Sequence, residues 1–149
     1  MQLTKYTDYA LRVLVYLGQR QNQRTTINDI TQHYNISRNH LMKIIHHLSQ
    51  AGYVQSSRGR LGGLSLGKDP AEINIATVVG ETEKNMSLVE CFGSHNTCTI
   101  EPECVLKHVL HRAHESFMEA LAVFTLADVL HLQGAGSAKQ SELKPITLN

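Results

Sequence analysis

The sequence predicts a mostly α-helical protein with a small β-hairpin wing, in which a winged helix-turn-helix is joined to a long dimerisation helix. Two helical patterns separated by a tight turn lie within residues 26–52. A short hairpin with arginines and glycines at its tip follows within residues 53–66. A long helix with one apolar face is predicted from Pro102 onward. The order of a helix-turn-helix followed directly by a hairpin is that of a winged helix.

The helix-turn-helix is predicted from its capping and turn residues. Thr26 caps the first helix, with Asp29 at the third helical position as a weaker variant of the capping box. Asn35 suits the tight turn, Ser37 caps the second helix and Gly52 ends it. The second helix has an apolar stripe at three- and four-residue spacing, made of Leu41, Ile44, Ile45 and Leu48. This stripe predicts that the helix packs on a core and presents its opposite face to solvent.

The opposite face of the second helix is predicted to enter a DNA groove. At about 100° per residue, the side chains pointing most directly away from the stripe are Asn39, Lys43 and His46, with His40 and His47 beside them. Arg38 stands at the start of the helix, where it can meet a phosphate or a base edge. Thr26 and Ser37, at the starts of the two helices, complete this predicted DNA surface.

The hairpin tip carries Arg58 and Arg60, with Gly59 between them and two further glycines after them. Glycines allow the tip to approach a sugar-phosphate backbone or a minor groove, and the arginines supply positive charge there. The ordinary solubility of an exposed turn would explain the same residues. Their position directly after the predicted recognition helix favours DNA contact.

The formal net charge of +1 conceals two oppositely charged segments. Residues 30–68 contain no Asp or Glu, whereas residues 69–128 contain ten acids against three Lys or Arg. The first segment therefore has the charge required to approach phosphates. No nucleophile elbow, phosphate loop or paired catalytic carboxylates are found, which argues against an enzyme. The polar N-terminus and the lack of a long apolar run predict a cytoplasmic protein without a signal peptide or membrane span.

Two further helical regions flank the winged helix. In the N-terminal region, Asp8 and Arg12 form an i,i+4 pair in the favourable order, for which a surface ion pair of small energy is the default interpretation. The long helix from Pro102 is predicted to run for about six turns and to pack its apolar face against a partner subunit. Thr125 and Asp128 resemble a new cap, so a short helix is predicted after a kink.

All three cysteines of the chain, Cys91, Cys98 and Cys104, lie within fourteen positions. An odd number of thiols in a reducing compartment argues against disulfides and favours a metal site. The spacing C-x6-C-x5-C is neither that of a zinc ribbon nor that of a ferredoxin, and it points to a loop-held iron–sulfur site with one more ligand. Two alternatives stay open at this point: a zinc site completed by His95 or His108, and a set of redox-active thiols.

Three segments together resemble the NsrR branch of a family of dimeric winged-helix regulators that also includes IscR. They are residues 1–12, the wing at 58–63, and residues 88–92 with the cysteines, and the resemblance covers about residues 1–132. It implies a homodimer with one iron–sulfur cluster per subunit, of the 4Fe–4S or 2Fe–2S type, held by Cys91, Cys98 and Cys104. It also implies a repressor of nitrosative-stress detoxification genes, which nitric oxide releases from double-stranded operator DNA.

The resemblance also implies a candidate for the fourth ligand. IscR-like members use a histidine three positions after the last cysteine, but this chain has Lys107 there and His108 one position further. NsrR-like members use an aspartate from the first helix of the other subunit, and Asp8 matches it, with Arg12 placed to hold it. The competing interpretation is that Asp8 and Arg12 form only a surface pair, and that water, glutathione or Glu101 fills the position.

The predicted organisation therefore has four parts. Residues 1–68 form a winged helix-turn-helix DNA-binding domain, and residues 69–101 form a connector and cluster-binding loop. Residues 102–132 form the long dimerisation helix and the short helix after it. Residues 133–149 are polar and rich in Gly, Ser and Lys, which predicts a disordered tail.

Overall fold

The computed structural model describes residues 2–57, 59, 62–93, 97–100 and 103–134, and it confirms a mostly helical fold with two antiparallel strands. The helices are α1 (Lys5–Gly18), α2 (Ile27–Tyr34), α3 (Arg38–Gln50), α4 (Ile75–Thr82), α5 (Val105–Ala122) and α6 (Leu126–Gly134). The strands are β1 (Val54–Ser57) and β2 (Gly63–Leu66), and short 3-10 turns span Pro70–Glu72 and Glu90–Phe92. Within the described residues, no helix is both long and apolar enough to cross a membrane.

The helix-turn-helix is fixed by its caps. The Asp29 carboxylate accepts the Thr26 backbone N–H at 2.7 Å, and the Thr26 hydroxyl accepts the Asp29 N–H at 3.3 Å. The capping box is therefore complete, and these hydrogen bonds, that of the Thr26 backbone first, lower the pKa of the Asp29 carboxyl. Asn35 ends α2 in the left-handed conformation, with φ 52°, and Ser37 caps α3. The predicted tight turn is confirmed.

The wing is tied to the helix-turn-helix through its backbone. β1 and β2 pair in antiparallel register along their full lengths. The Leu64 N–H donates to the Thr25 carbonyl at 2.7 Å, so the chain entering α2 bridges to the hairpin. A Cβ on Gly63 would lie 2.9 Å from the same carbonyl oxygen, so the absence of a side chain there allows the approach. The wing therefore keeps a fixed position beside α2.

One hydrophobic core holds the helices together. Its most buried side chains are Ala10, Val13, Leu14, Leu17, Ile30, Leu41, Ile44, Leu48, Val54, Ile73, Val78 and Leu126. The last three come from beyond residue 68, and the Leu126 N–H donates to the Ile73 carbonyl at 2.8 Å. The core of the winged helix is thus shared with segments that follow the wing in the sequence.

Helix α4 lies inside the segment predicted as a connector, and the sequence pattern did not predict it. Its residues Val78 and Val79 are fully buried, and the helix packs against α1 and α5. Asn74 caps it by accepting the Thr77 N–H, and Asn74 also donates to the Ala122 carbonyl at 2.7 Å. α4 therefore connects the winged helix to the end of α5.

Helix α5 begins at Val105, three residues later than the predicted start at Pro102, and Cys104 is its N-cap. Its 18 residues make five turns rather than six, and Pro102 lies outside the described residues. None of its side chains is buried within the chain. A capping box between Thr125 and Asp128 starts α6, as predicted. α6 runs to Gly134, so the first two positions of the predicted tail are helical, and residues 135–149 lie outside the described part.

Candidate DNA interface and cysteine site

The face of α3 that was predicted to meet DNA is exposed. Of the residues predicted to lie on this face, Arg38, Asn39, His40, Lys43 and His46 are exposed, whereas His47 is half-buried. The stripe predicted to be internal, Leu41, Ile44, Ile45 and Leu48, is buried. The amphipathic division of the helix is therefore confirmed, and it leaves a polar and basic surface on the side away from the core.

One flank of α3 forms an open cleft with α2 and the wing. The Arg38 guanidinium donates to the Asn28 side-chain oxygen in the first turn of α2. Thr26, Asn28, Arg38, Ser56 and Gly59 are among the residues that line this cleft of about 290 Å³. The hydroxyls of Thr26 and Ser37 are engaged as helix caps, so these two residues position the interface through the backbone. Elements from three parts of the winged helix converge here.

The other flank of α3 faces the start of α1. The Tyr6 hydroxyl and His47 Nδ1 share a hydrogen bond of 3.0 Å, and burial raises the pKa of the Tyr6 hydroxyl. A second cleft, of about 200 Å³, lies here and is lined by Lys5, Tyr6, Tyr9, His40 and Lys43. The sequence pattern did not predict the Tyr6 contact, because it joins positions 41 residues apart. α1 is thereby bonded directly to the predicted recognition helix.

The arginines of the wing, Arg58 and Arg60, lie outside the described residues. Gly59 between them has a φ of 108° and is exposed, with open space where a Cβ would stand. The Gly62 N–H donates to the Gly59 carbonyl at 2.9 Å, which closes the turn between the strands. A positive φ of this kind favours glycine.

Asp8 and Arg12 form the predicted ion pair on α1. Arg12 Nε lies 2.9 Å from Asp8 Oδ1, and Arg12 Nη2 lies 2.9 Å from Asp8 Oδ2, so the contact is bidentate. The Arg12 guanidinium also lies 5.9 Å from the ring centre of Tyr9 and 5.8 Å from that of Tyr34. Tyr34 belongs to α2, so the pair is connected to the helix-turn-helix, a contact that spacing along α1 did not predict.

The three cysteines are present as reduced thiols in the segment that leads into α5. Cys91 lies in the 3-10 turn Glu90–Phe92 and is half-buried, Cys98 is exposed, and Cys104 is the half-buried N-cap of α5. The Glu90 carboxylate accepts the Thr97 N–H at 2.7 Å and the Thr97 hydroxyl at 2.5 Å. These bonds, that of the Thr97 hydroxyl first, lower the pKa of the Glu90 carboxyl. They also join the residue before Cys91 to the residue before Cys98.

Beside Cys91 the loop forms a shallow cavity of about 410 Å³ against α5. It is lined by Met86, Ser87, Cys91, Phe92, Lys107, His111 and His114. The His114 Nε2 atom is buried and makes no hydrogen bond with the residues that the structure describes. The Phe92 ring packs against that of His111, with the ring centres 5.7 Å apart. His95 and Glu101, two alternative ligands, lie outside the described residues, and His108 is exposed on α5.

The donor set suits an iron–sulfur cluster in its chemistry. Three thiols that form no disulfide supply the soft ligands that such clusters require. Across the described part of one chain, no three His, Cys, Asp or Glu side chains come together as a complete metal site. The thiols therefore fit the group by type, and the described residues of a single chain do not complete a coordination shell around them.

The chain is similar to known transcriptional regulators. Residues 3–132 match Rrf2, a family described as iron-dependent transcriptional regulators. The HTH-type transcriptional regulator NsrR of Geobacillus kaustophilus is 52% identical over 132 residues, which cover 87% of this chain and 90% of that protein. The regulator of the same name in Bacillus subtilis is 48% identical with the same coverage.

Solved structures show the same fold. CymR, the global cysteine regulator of B. subtilis, has a TM-score of 0.72 at 27% identity and covers 88% of this chain and 97% of its own. IscR of T. potens has a TM-score of 0.72 at 25% identity, covering 93% and 91%. The prediction of a DNA-binding transcriptional regulator rather than an enzyme is confirmed by these relatives. The chain belongs to the Rrf2 family of iron-dependent transcriptional regulators.

Proposed function

We propose that this chain is a nitric-oxide-sensitive repressor whose DNA binding is controlled by an iron–sulfur cluster. The observation that carries the proposal is the position of all three cysteines in one segment, between a winged helix-turn-helix and an exposed apolar helix. The 52% identity to a regulator named NsrR supports it. The proposed targets are operators of nitrosative-stress detoxification genes, and the proposed place of action is the cytoplasm, where the chromosome lies.

DNA recognition is assigned to α3 and the wing. Asn39, Lys43 and His46 face base edges in the major groove, because they are exposed on the side opposite the core. His40 lies beside them, and Arg38 meets a phosphate at the start of the helix. Arg58 and Arg60 reach the neighbouring backbone or the minor groove.

The two wing arginines can be tested through the salt dependence of binding. Arg58→Ala or Arg60→Ala should weaken binding to all sequences and reduce the slope of log K against log salt by about one, since each removes one phosphate-neutralising charge. Asn39→Ala should instead relax the preference at particular base pairs. Gel retardation from low to high salt measures both effects. Unchanged affinity and slope in the wing variants would contradict this docking.

The proposed active form is a homodimer built on α5. Val105 is 73% exposed, and Leu106 and Val109 are more than half exposed, so the helix presents apolar surface that the described residues of its own chain do not cover. A second α5 of equal character is a suitable occupant, because a twofold interface is self-complementary. Two recognition helices of such a dimer read half-sites about 34 Å apart.

Each subunit is proposed to hold one cluster, 4Fe–4S or 2Fe–2S, through Cys91, Cys98 and Cys104. When bound, a cluster supplies iron that nitric oxide can attack. Asp8 of the opposite subunit is the proposed fourth ligand, and its bidentate partner Arg12 holds the carboxylate in position. A carboxylate among thiolates is a weak ligand for iron, which suits a position that must be vacated.

Helix α1 is proposed to carry the signal to the DNA surface. The helix bears Asp8 and is tied to α2 through the Arg12–Tyr34 stacking and to α3 through the Tyr6–His47 hydrogen bond. A change in the position of α1 therefore acts on both helices of the helix-turn-helix. Because the two half-sites require a defined separation of the two recognition helices, a small rotation of these helices is enough to weaken DNA binding.

The central experiment uses protein purified without oxygen. Its visible and Mössbauer spectra should show thiolate-bound iron, and Cys91→Ser, Cys98→Ser or Cys104→Ser should each remove it, whereas Thr99→Ala in the same loop should not. Titration with nitric oxide should abolish retardation of a duplex selected from a random-sequence pool, in parallel with the spectral change. Colourless protein with stoichiometric zinc would favour a zinc- or thiol-dependent redox regulator, and full DNA binding after nitric oxide would contradict the proposal.

The role of Asp8 needs a separate variant. Asp8→Ala should retain thiolate absorption but change the spectrum and the rate of reaction with nitric oxide, while Glu72→Ala, another exposed acid, should match the parent protein. If spectrum, rate and DNA affinity are all unchanged in Asp8→Ala, the fourth ligand is another group.

A further inference from the structure

Met42 on α3 is a large apolar side chain on a polar surface. It is 48% exposed, whereas the other large apolar residues of this fully described helix are buried: Leu41, Ile44, Ile45 and Leu48. Met42 thus contributes little to the core, and about half of its side chain stays uncovered in the part of the chain that the structure describes. Burial of this exposed thioether against a partner would stabilise the complex, because apolar surface would be removed from water.

The place of Met42 indicates what that partner is. Arg38, Met42 and His46 follow one another at four-residue intervals and so lie along one face of α3. Asn39 and Lys43 flank Met42, and all five side chains are exposed. Met42 is therefore continuous with the surface assigned to the major groove. The apolar group that DNA displays in that groove is the C5-methyl of thymine.

We propose that Met42 binds the C5-methyl group of a thymine in each half-site and thereby selects thymine over cytosine at that position. The proposal rests on the docking of α3 in the major groove. Cytosine lacks the methyl and presents an amino donor that a thioether does not satisfy well. The three rotatable bonds of methionine let it adapt to the methyl, while the polar neighbours on both sides are free to bind base edges.

The test removes one methyl group at a time. Holo-protein and its Met42→Gln variant each select duplexes from a random-sequence pool, and every thymine of the parent consensus is then replaced singly by deoxyuridine, which lacks only the methyl. The parent protein should lose about fourfold in affinity at one thymine of each half-site, the factor expected for burial of one methyl. Met42→Gln should show no loss at that position, and Met42→Leu should regain most of it.

Several outcomes separate this inference from the proposed function. Specific binding that is insensitive to every deoxyuridine, or equal sensitivity in parent and Met42→Gln, would overturn the role of Met42 and leave the repressor intact. Failure of the parent protein to select any sequence would instead contradict the docking itself. Sedimentation of Met42→Gln as a monomer would assign Met42 to a subunit contact. Unfolding curves that coincide with the parent protein exclude a folding defect.

Discussion

At the scale of single residues, two glycines show how local space decides the effect of one methyl group. A Cβ on Gly67 would lie 2.4 Å from the Gly52 carbonyl oxygen, a backbone atom that cannot move without shifting the wing. A Cβ on Gly80, within α4, would have the end of the Met118 side chain at 4.0 Å as its nearest neighbour. Replacing glycine by alanine is therefore expected to destabilise the protein at Gly67 and to stabilise it at Gly80.

Gly67→Ala should lower the free energy of unfolding by roughly 1–3 kcal/mol, because the clash displaces the base of the hairpin. Gly80→Ala should raise it by about 1 kcal/mol, because alanine is the better helix former and the space is available. Urea unfolding of both variants measures the difference. Equal effects of the two substitutions would show that the close approach at Gly67 does not exist in solution.

Asp29 links a single carboxylate to pH. Its folded pKa is lowered below its ordinary 3.8, so its contribution to stability is present above that value and is lost as pH falls through the folded pKa. Asp29→Asn should therefore lose less stability than the parent protein between about pH 5 and pH 2. Thr31→Ala, two residues further along the same helix, should keep the parent dependence on pH. Parallel stability curves for Asp29→Asn and the parent would contradict this role.

At the scale of elements, the predictable features are those set by neighbouring residues. The caps Thr26 and Ser37, the turn at Asn35 and the apolar stripe of α3 all follow from short spacings. α4 was missed because its sequence, Ile-Ala-Thr-Val-Val-Gly-Glu-Thr, is rich in β-branched residues and contains glycine, which are poor helix formers. Packing against α1 and α5 outweighs that preference, and such packing is not visible in a local pattern.

In the candidate site, too, the features set by local spacing could be predicted and the contacts between distant segments could not. The exposed residues of α3 and the Asp8–Arg12 pair could be predicted, because both depend on helical periodicity. The stacking of Arg12 on Tyr34 could not, because α2 approaches α1 only in the folded chain. The roles of the cysteines as ligands stay a prediction.

The link between α1 and α3 gives an element-scale prediction. Tyr6→Phe removes the hydroxyl that bonds His47 but keeps the ring, so the fold should persist while the two helices become less firmly coupled. The ratio of DNA affinities before and after nitric oxide should shrink several-fold, whereas Tyr16→Phe, further along α1, should keep the parent ratio. Fluorescence anisotropy with a selected duplex measures it. An unchanged ratio in Tyr6→Phe would exclude this bond from signalling.

At the scale of the whole molecule, the exposed apolar face of α5 is the proposed subunit interface. Val109→Glu should place a charge in the proposed interface and halve the mass observed by analytical ultracentrifugation, with a large loss of operator affinity. Glu115→Gln, on another face of α5, should remain dimeric. A dimeric Val109→Glu protein would show that the subunits meet elsewhere.

The shared core determines where the chain can be truncated. Ile73 and Leu126, from segments on either side of the cysteines, are buried in the same cluster as α1 and α3 and are bonded to each other. Cutting the chain after the wing would strip apolar cover from α1 and leave a fragment prone to aggregate. The proposed sensing segment and the DNA-binding helices are thus not independent domains joined by a flexible linker. A different cysteine loop could be inserted into this chain only if the segments before and after it, which contain Ile73 and Leu126, still pack against α1.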